Sequence, residues 1–165
     1  MELITSTLDE NDHRLLRRAI DLATENVTAG GGGPFGCVVA RDGVILAEGK
    51  NRVVEDNDPT AHAEIVAIRT ACSRLGHFQL EGAVIYSSTL PCPMCLSAIL
   101  WARPAAIVYG ASAEDAAAVG FDDAAFYAEL SRDPSERKLP VLQALHAEAL
   151  EPLRAWAKSP TRVEY

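Results

Sequence analysis

The sequence has 165 residues, 48% of them hydrophobic, and its 23 acidic side chains outnumber 15 basic ones to give a formal net charge of −8. A chain of this length suits one domain, here residues 1–165, with a sizeable core. No apolar run approaches the length of a membrane span, and no dense cluster of Lys and Arg offers a surface for polyanions. The composition therefore argues against membrane insertion and against a nucleic-acid partner.

The N-terminus and the cysteines bear on the cellular compartment. Residues 1–4 show no basic region followed by an apolar stretch, so no secretory signal is predicted and a cytoplasmic location is expected. In such a chain, Cys92 and Cys95 are more consistent with metal ligands than with disulfide partners. Cys37 and Cys72 lie in apolar stretches and are expected to be core thiols.

The first third of the chain predicts a helix followed by a β-hairpin. Apolar residues at helical spacing over residues 11–27 predict an amphipathic helix, with Asp9 or Asn11 as its N-cap. The glycine run at residues 30–33 precedes a strand, whereas a phosphate-binding loop follows one, so a nucleotide loop is excluded. The run predicts a flexible turn or, alternatively, a close backbone approach to a ligand with Phe35 as a wall. The predicted hairpin strands are residues 35–40 and 44–47, joined by an Arg-Asp-Gly turn.

A polar loop at residues 51–58 and a first motif follow. The Asn51 amide both donates and accepts hydrogen bonds, which suits the edge of a purine or pyrimidine, but Asn is also a common turn residue. Residues 59–64 read Pro-Thr-Ala-His-Ala-Glu and open a helix that ends near residue 75. The expected start of this helix has Pro59 in its first position and Asp58 or Thr60 as the cap.

A second motif, Pro-Cys-Pro-Met-Cys at residues 91–95, opens a helix that ends before Pro104. This helix lies between apolar strands predicted at residues 83–88 and 105–109. Because a strand, a helix and a strand follow one another, we expect a parallel strand pair with a right-handed crossover.

The C-terminal third predicts shorter elements. Asp122 and Asp123 precede a helix, and their spacing favours capping of that helix over a place in a functional site. The predicted elements are a short helix or loop at residues 111–119, a helix at 124–130, a charged loop at 131–138, a last strand at 141–145 and a helix at 147–158.

The two motifs supply the chemistry. His62, Cys92 and Cys95 are three ligands of the kinds that zinc prefers, and a catalytic zinc site leaves its fourth position open for water. Glu64 is then available as a general acid or base. Cys92 and Cys95, three residues apart, face the same way on a helix, whereas His62 and Glu64 share a site only near a helix start.

The ordered pair of motifs is more specific than either alone. A single C-x-x-C also occurs in redox pairs and structural zinc sites, and a single H-x-E is common by chance. A non-catalytic zinc module would usually have a fourth protein ligand. The spare histidines outside the first helix, His77 and His146, are more typical of surface or helix-end positions.

With both motifs in place, the chain resembles the cytidine and nucleobase deaminase superfamily, and nearly its whole length resembles bacterial guanine deaminases. The narrower resemblance includes the Gly-Phe-Asp-Asp stretch at residues 120–123, the Trp-Ala-Arg-Pro stretch at residues 101–104 and the terminal Glu-Tyr. It implies a three-layer α/β/α fold with a mixed five-stranded sheet. It also implies a homodimer, in which the C-terminal segment is a candidate for exchange between subunits.

The resemblance also implies roles for individual residues. His62, Cys92 and Cys95 bind one zinc ion per subunit, Glu64 transfers protons, and Asp123 contacts the base and assists catalysis. Further substrate contacts are implied for Phe35, Asn51, Ala63, Trp101 and Tyr165, some of them from the partner subunit.

One departure from the family pattern bears on the substrate. Leu90 stands where the family often has a Glu before the Pro-Cys pair, and it cannot make the polar contacts of a carboxylate. Deamination of guanine is the activity that the resemblance implies. The alternatives are a nucleoside, cytosine or an amino-triazine as substrate, or tRNA adenosine, against which the acidic composition argues.

Overall fold

A mixed four-stranded sheet forms the centre of the fold. The structure, a computed structural model, describes residues 7–164. The strands are β1 (Gly36–Arg41), β2 (Val44–Lys50), β3 (Val84–Thr89) and β4 (Ala106–Ala111). Their order is β2-β1-β3-β4, with β1 antiparallel to both neighbours and β3 parallel to β4. The predicted hairpin and the predicted parallel pair are both confirmed.

Helices cover both faces of the sheet. The larger ones are α1 (Glu10–Thr28), α3 (Ala63–Leu75), α4 (Pro93–Ala102) and α7 (His146–Lys158), and the shorter ones are α2 (Val53–Asp56), α5 (Ala113–Ala118) and α6 (Asp123–Leu130). A 3₁₀ turn lies at Pro134–Glu136. None of the helices in residues 7–164 combines the length and the apolar character that a membrane crossing requires.

Alternation along β1 separates two cores. Val38 and Ala40 pack with the apolar side of α1, whereas Cys37 and Val39 pack with α3 and α4 on the other face. Asp9 caps α1 through a capping box with Asp12, as one of the two predicted caps. The result is the expected three-layer α/β/α arrangement.

The predicted fifth strand is wrong. Residues 141–145 form no strand, and β1 to β4 are the strands of residues 7–164. Leu142 is 91% exposed, so the apolar character of this segment is not explained by strand pairing within this sheet. The α2 helix was not predicted because its four residues, Val-Val-Glu-Asp, are too few to show a helical period.

The predicted cap of α3 is also wrong, because His62 is the N-cap. Asp58 instead closes a tight turn, in which its Oδ1 accepts hydrogen bonds from both the backbone N–H and the hydroxyl of Thr60. Two further backbone bonds, Ala61 N–H to Asp58 and His62 N–H to Thr60, keep the chain out of a helix until His62. The turn therefore delays the helix start and moves the imidazole to its cap.

Close packing holds the start of α3 against the sheet. A Cβ at Gly49 of β2 would overlap the backbone carbonyl of Ala63, so only Gly lets the helix approach this near. At the far end of α3, Gly76 adopts a left-handed conformation with φ of 65° and terminates the helix as predicted.

Candidate active site

Two helix starts converge on one point of the structure. His62 is the N-cap of α3, Cys92 is the N-cap of α4, and Cys95 lies in the first turn of α4. One donor atom from each side chain lies within 4.8 Å of the other two. The Cys92 Sγ is 3.5 Å from the His62 Nδ1, across 30 residues of sequence. The structure thus brings the three predicted ligands together.

The donor set fits zinc. One imidazole and two thiols match catalytic sites with three protein ligands. Hydrogen bonds from Cys95 and His62 lower the pKa of Cys92 to about 4, and the bond between the two sulfurs raises the pKa of Cys95. Cys92 is therefore the more acidic of the two thiols, and a zinc ion would be held by both sulfurs as thiolates.

Glu64 lies in the first turn of α3, beside the cluster but outside it. The residue is only 5% exposed, and the Ser87 hydroxyl donates a hydrogen bond to its Oε1 at 3.0 Å. Burial raises the pKa of Glu64, and the Ser87 bond opposes part of that shift. The side chain is therefore a carboxyl group fixed by a hydrogen bond next to the predicted metal ligands, and its pKa lies above the usual value.

A cavity of about 480 Å³ opens beside the cluster. Its wall contains Phe35, Asn51, Glu64 and Asp123, which were all predicted to act on or contact a base. The rings of Phe35 and Phe121 meet edge to face, with centroids 4.7 Å apart. A cavity of this size, with an aromatic wall and a few polar groups, suits a flat heterocycle. The remaining wall residues are Gly32, Gly33, Val53, Val54, Pro59, His62, Leu90 and Cys92.

The glycine run reaches this cavity through its backbone. Gly32 and Gly33 line the cavity, and the close backbone approach to a ligand at this point stays a prediction. The Asn26 side chain donates to the carbonyls of both Gly33 and Asn51, each at 2.9 Å. Asn51 is 5% exposed, and its Oδ1 accepts a hydrogen bond from the Val53 N–H at 3.3 Å. Asn51 therefore forms a local turn-type hydrogen bond and also lies in the cavity wall, and its contact with the edge of a base stays a prediction.

Asp123 lies in the cavity wall, which makes the expected capping role wrong. Asp122 occupies the N-cap position of α6, and its side chain makes no capping hydrogen bond. Asp123 is the first helical residue and faces the side of the cavity formed by His62 and Cys92. Burial is the main cause that raises the pKa of Asp123. The cavity wall thus contains a second carboxyl group in addition to Glu64.

Two predicted substrate contacts, Ala63 and Trp101, are not part of this wall. The Ala63 side chain is fully buried in the core beneath β2. Trp101 is 60% exposed and lines a separate apolar hollow with Phe78 and Ile68. Tyr165 lies outside the described residues 7–164. The roles of Ala63, Trp101 and Tyr165 at a substrate stay predictions.

Four residues at or near the site were missed. Asn26 lies on the buried face of α1 together with Leu15, Ala19 and Leu22. A polar residue on an apolar helix face is visible in the sequence, so this residue could have been identified from it. Phe121 belongs to the Gly-Phe-Asp-Asp stretch that carries the narrower resemblance, but no role at the site was predicted for it. No local pattern marks Ser87 and Tyr127, which reach the site only through the tertiary fold.

Comparisons with known proteins agree with this geometry. Residues 9–111 match the family described as the cytidine and deoxycytidylate deaminase zinc-binding region. The chain is 50% identical over 155 residues to a guanine deaminase of Bacillus subtilis, covering 94% of this chain and 99% of that protein. A 78-residue stretch, 47% of this chain, is 49% identical to a tRNA-specific adenosine deaminase of Agrobacterium fabrum and covers 51% of it.

Solved structures show the same relation. The crystal structure of the Bacillus subtilis guanine deaminase superposes with a TM-score of 0.89 at 49% identity, over 96% of this chain and 99% of that one. A guanine deaminase from Nitrosomonas europaea superposes with a TM-score of 0.65 at 31% identity, over 72% of this chain and 68% of that one. The fold, the donor set and both matches show that the chain belongs to the zinc-binding cytidine and deoxycytidylate deaminase family.

Proposed function

We propose that this protein is a zinc-dependent aminohydrolase that converts guanine and water to xanthine and ammonia. One observation supports the reaction class. The group of three candidate metal ligands and the buried carboxyl group of Glu64 lie at the same cavity. The choice of guanine is supported by the 50% identity to the Bacillus subtilis guanine deaminase over nearly all of both chains.

The metal cluster and Glu64 divide the chemistry. His62, Cys92 and Cys95 would hold one zinc ion per subunit, which when bound supplies a Lewis acid that makes water a nucleophile near neutral pH. Glu64 accepts a proton from the attacking water, whose oxygen forms a bond to the amino-bearing carbon of the base. Glu64 passes this first proton to the ring nitrogen. It then takes the second proton from the hydroxyl group now on the carbon and delivers it to the departing amine, because ammonia leaves far more readily than an amide anion. The carbon–nitrogen bond breaks as the new carbonyl forms.

The other wall residues bind and orient the base. Asn51 offers an amide that donates and accepts, Asp123 offers a carboxyl to ring N–H groups, and Phe35 packs on the ring face. Asn51 and Asp123 lie in the same cavity wall as Glu64. Hydrogen bonds from these two residues would therefore hold the base with its amino group directed toward the Glu64 carboxyl group.

A substrate panel tests the proposal. Ammonia release is measured with guanine, cytosine, guanosine, cytidine and an amino-triazine, with the protein loaded with one zinc ion per chain. We expect guanine to give the highest kcat/KM. A preference for any other compound, at full zinc content, contradicts the assignment of guanine but not that of a deaminase. If none of these compounds releases ammonia, the assignment of the protein as an aminohydrolase is wrong.

Deamination of tRNA adenosine is a weaker candidate. The tRNA-specific relatives from Agrobacterium fabrum and Haemophilus influenzae match 47% and 69% of this chain, against 94% for the Bacillus subtilis guanine deaminase, and the formal net charge of −8 disfavours contact with a polyanion. Tight, steeply salt-dependent binding of tRNA would revive this candidate.

We also propose a homodimer in which the C-terminal segment packs on the partner subunit. None of the residues of α7 is buried, and Leu142, Leu145 and Trp156 are 91%, 70% and 46% exposed. Apolar side chains in such number are normally covered by protein. Light scattering should give twice the mass of one chain, and removal of residues 139–165 should shift the protein toward monomer. A wild-type monomer would contradict the proposal.

The single domain and the cytoplasmic location stay predictions.

A further inference from the structure

The helix that carries Asp123 has little hydrophobic anchorage. None of the residues of α6 is buried, and Phe126 and Leu130 are 53% and 55% exposed. The helix follows Gly120, which has a φ of 96°, and packs against α5 and α4 rather than against the sheet. Within one subunit, apolar burial of α6 therefore does little to fix where the helix lies relative to the metal ligands, so its polar contacts become important.

One strong hydrogen bond joins α6 to the metal-binding loop. The Tyr127 hydroxyl donates to the backbone carbonyl of Pro91 at 2.6 Å. Pro91 is fully buried and directly precedes Cys92, so its carbonyl is a fixed point next to a metal ligand. The bond crosses 36 residues of sequence, and Tyr127 itself is half-buried.

The spacing along α6 connects this bond to the substrate cavity. Asp123 and Tyr127 are four residues apart, so they lie on the same face of the helix, one turn from each other. When Tyr127 holds Pro91, that face is turned toward His62 and Cys92, where Asp123 enters the cavity wall. A rotation of α6 that broke the hydroxyl bond would also move the carboxyl of Asp123.

We infer that Tyr127 is a positioning residue for the base: it clamps α6 to the Pro91 carbonyl and thereby sets the place of Asp123 in the substrate cavity. The substrate named in this inference rests on the proposed function, but the clamp itself is a property of the free protein.

The first test needs no substrate. Amide hydrogen exchange is compared between the wild type and Tyr127→Phe, which removes the hydroxyl and keeps the ring. We expect faster exchange over residues 123–130 and unchanged exchange in α3 and β3. Unchanged exchange in α6 would overturn the clamp, whatever the protein's substrate is. A wild type without activity on guanine would count against the proposed function and leave this result intact.

The second test asks whether Tyr127 acts through Asp123. We expect Tyr127→Phe to keep one zinc ion per chain while kcat/KM for guanine falls about three- to tenfold, mainly through KM, as for the loss of one hydrogen bond. Xanthine affinity, measured by calorimetry, should weaken by a similar factor. In the background of Asp123→Asn, the same substitution should change neither xanthine affinity nor KM. Equal losses in both backgrounds would show that Tyr127 does not act through Asp123.

Tyr86→Phe is the matched control. Its hydroxyl donates to the Asp12 Oδ1, also at 2.6 Å, but on the face of the sheet that packs on α1. We expect this variant to lower the melting temperature without changing KM. If Tyr127→Phe behaves in the same way, its hydroxyl is merely structural and the positioning role is wrong.

Discussion

Replacement of Glu64 by Gln separates proton transfer from the structural functions of this side chain. The amide has nearly the same volume as the carboxyl group, and its carbonyl can still accept the hydrogen bond that Ser87 donates at 3.0 Å. Glu64 is 5% exposed, and its burial favours the neutral form of the group. A neutral amide therefore suits the site as well as a protonated carboxyl does, and we expect the fold and the metal cluster to be retained.

The magnitude follows from what the variant cannot do. A positioned general acid or base contributes about 10²- to 10⁴-fold in rate. Glu64 is the proposed group both for taking the proton of water and for returning protons to the base and the amine, so we expect a loss near the upper end of that range. A 10³- to 10⁴-fold fall in kcat corresponds to about 4 to 5.5 kcal/mol in the barrier.

The assay measures kcat for guanine from ammonia release and zinc content by elemental analysis of the same sample. Ser87→Ala is the control, because it removes the hydrogen-bond partner and keeps the carboxyl; we expect at most about a tenfold loss. A Glu64→Gln protein with full zinc and near-normal kcat would refute the assignment of Glu64 to proton transfer. Loss of zinc in this variant would show instead that the carboxyl group supports the metal.

Two further predictions concern the metal cluster and the α1 contact. Cys92→Ser should weaken zinc binding by more than about 100-fold, since loss of an outer-sphere partner alone costs 10- to 100-fold, and dialysed protein should contain well under one zinc ion per chain; retention of full zinc would exclude Cys92 as a ligand. Hydrogen bonds from Tyr86 and from the Asp9 backbone lower the pKa of Asp12 in the folded protein. Asp12→Asn should therefore cost about 1 kcal/mol of unfolding free energy above about pH 4, and this difference should vanish as the pH falls through the lowered pKa. Urea unfolding between pH 3 and 7 measures it, and a difference independent of pH would contradict the role of the ionised carboxylate.

The metal ligands were predictable because their signals are local. Cys92 and Cys95 are three residues apart at a helix start that Pro93 marks, and the structure has Cys92 as the cap and Pro93 in the first position. His62 and Glu64 were predicted to share a site only near a helix start, and His62 is the cap of α3. The residue expected to cap that helix was wrong, but the requirement for a helix start at the motif was not.

The errors arise where a local pattern had a non-local explanation. Residues 141–145 are apolar enough for a strand, yet they pair with no strand within residues 7–164 and are exposed there. A sequence pattern shows that a segment needs an apolar partner, but it does not show whether that partner belongs to the same chain. The exposed C-terminal segment and the missing fifth strand are therefore one observation, which the proposed exchange between subunits accounts for.

The two aspartates before α6 show the same limit at the scale of one residue. Capping rules describe how a carboxylate serves its own helix, and by those rules Asp122 and Asp123 are equivalent candidates. The structure distinguishes them by helix phase, because only Asp123 lies on the face that Tyr127 turns toward the metal ligands. That phase depends on a hydrogen bond to Pro91, 36 residues away from Tyr127, which no window of local sequence contains. Metal ligands and a proton-transfer group can thus be predicted from residue spacing within a motif. The contacts that select one base over another depend on how separate segments of the chain pack together, and a local sequence pattern does not show this.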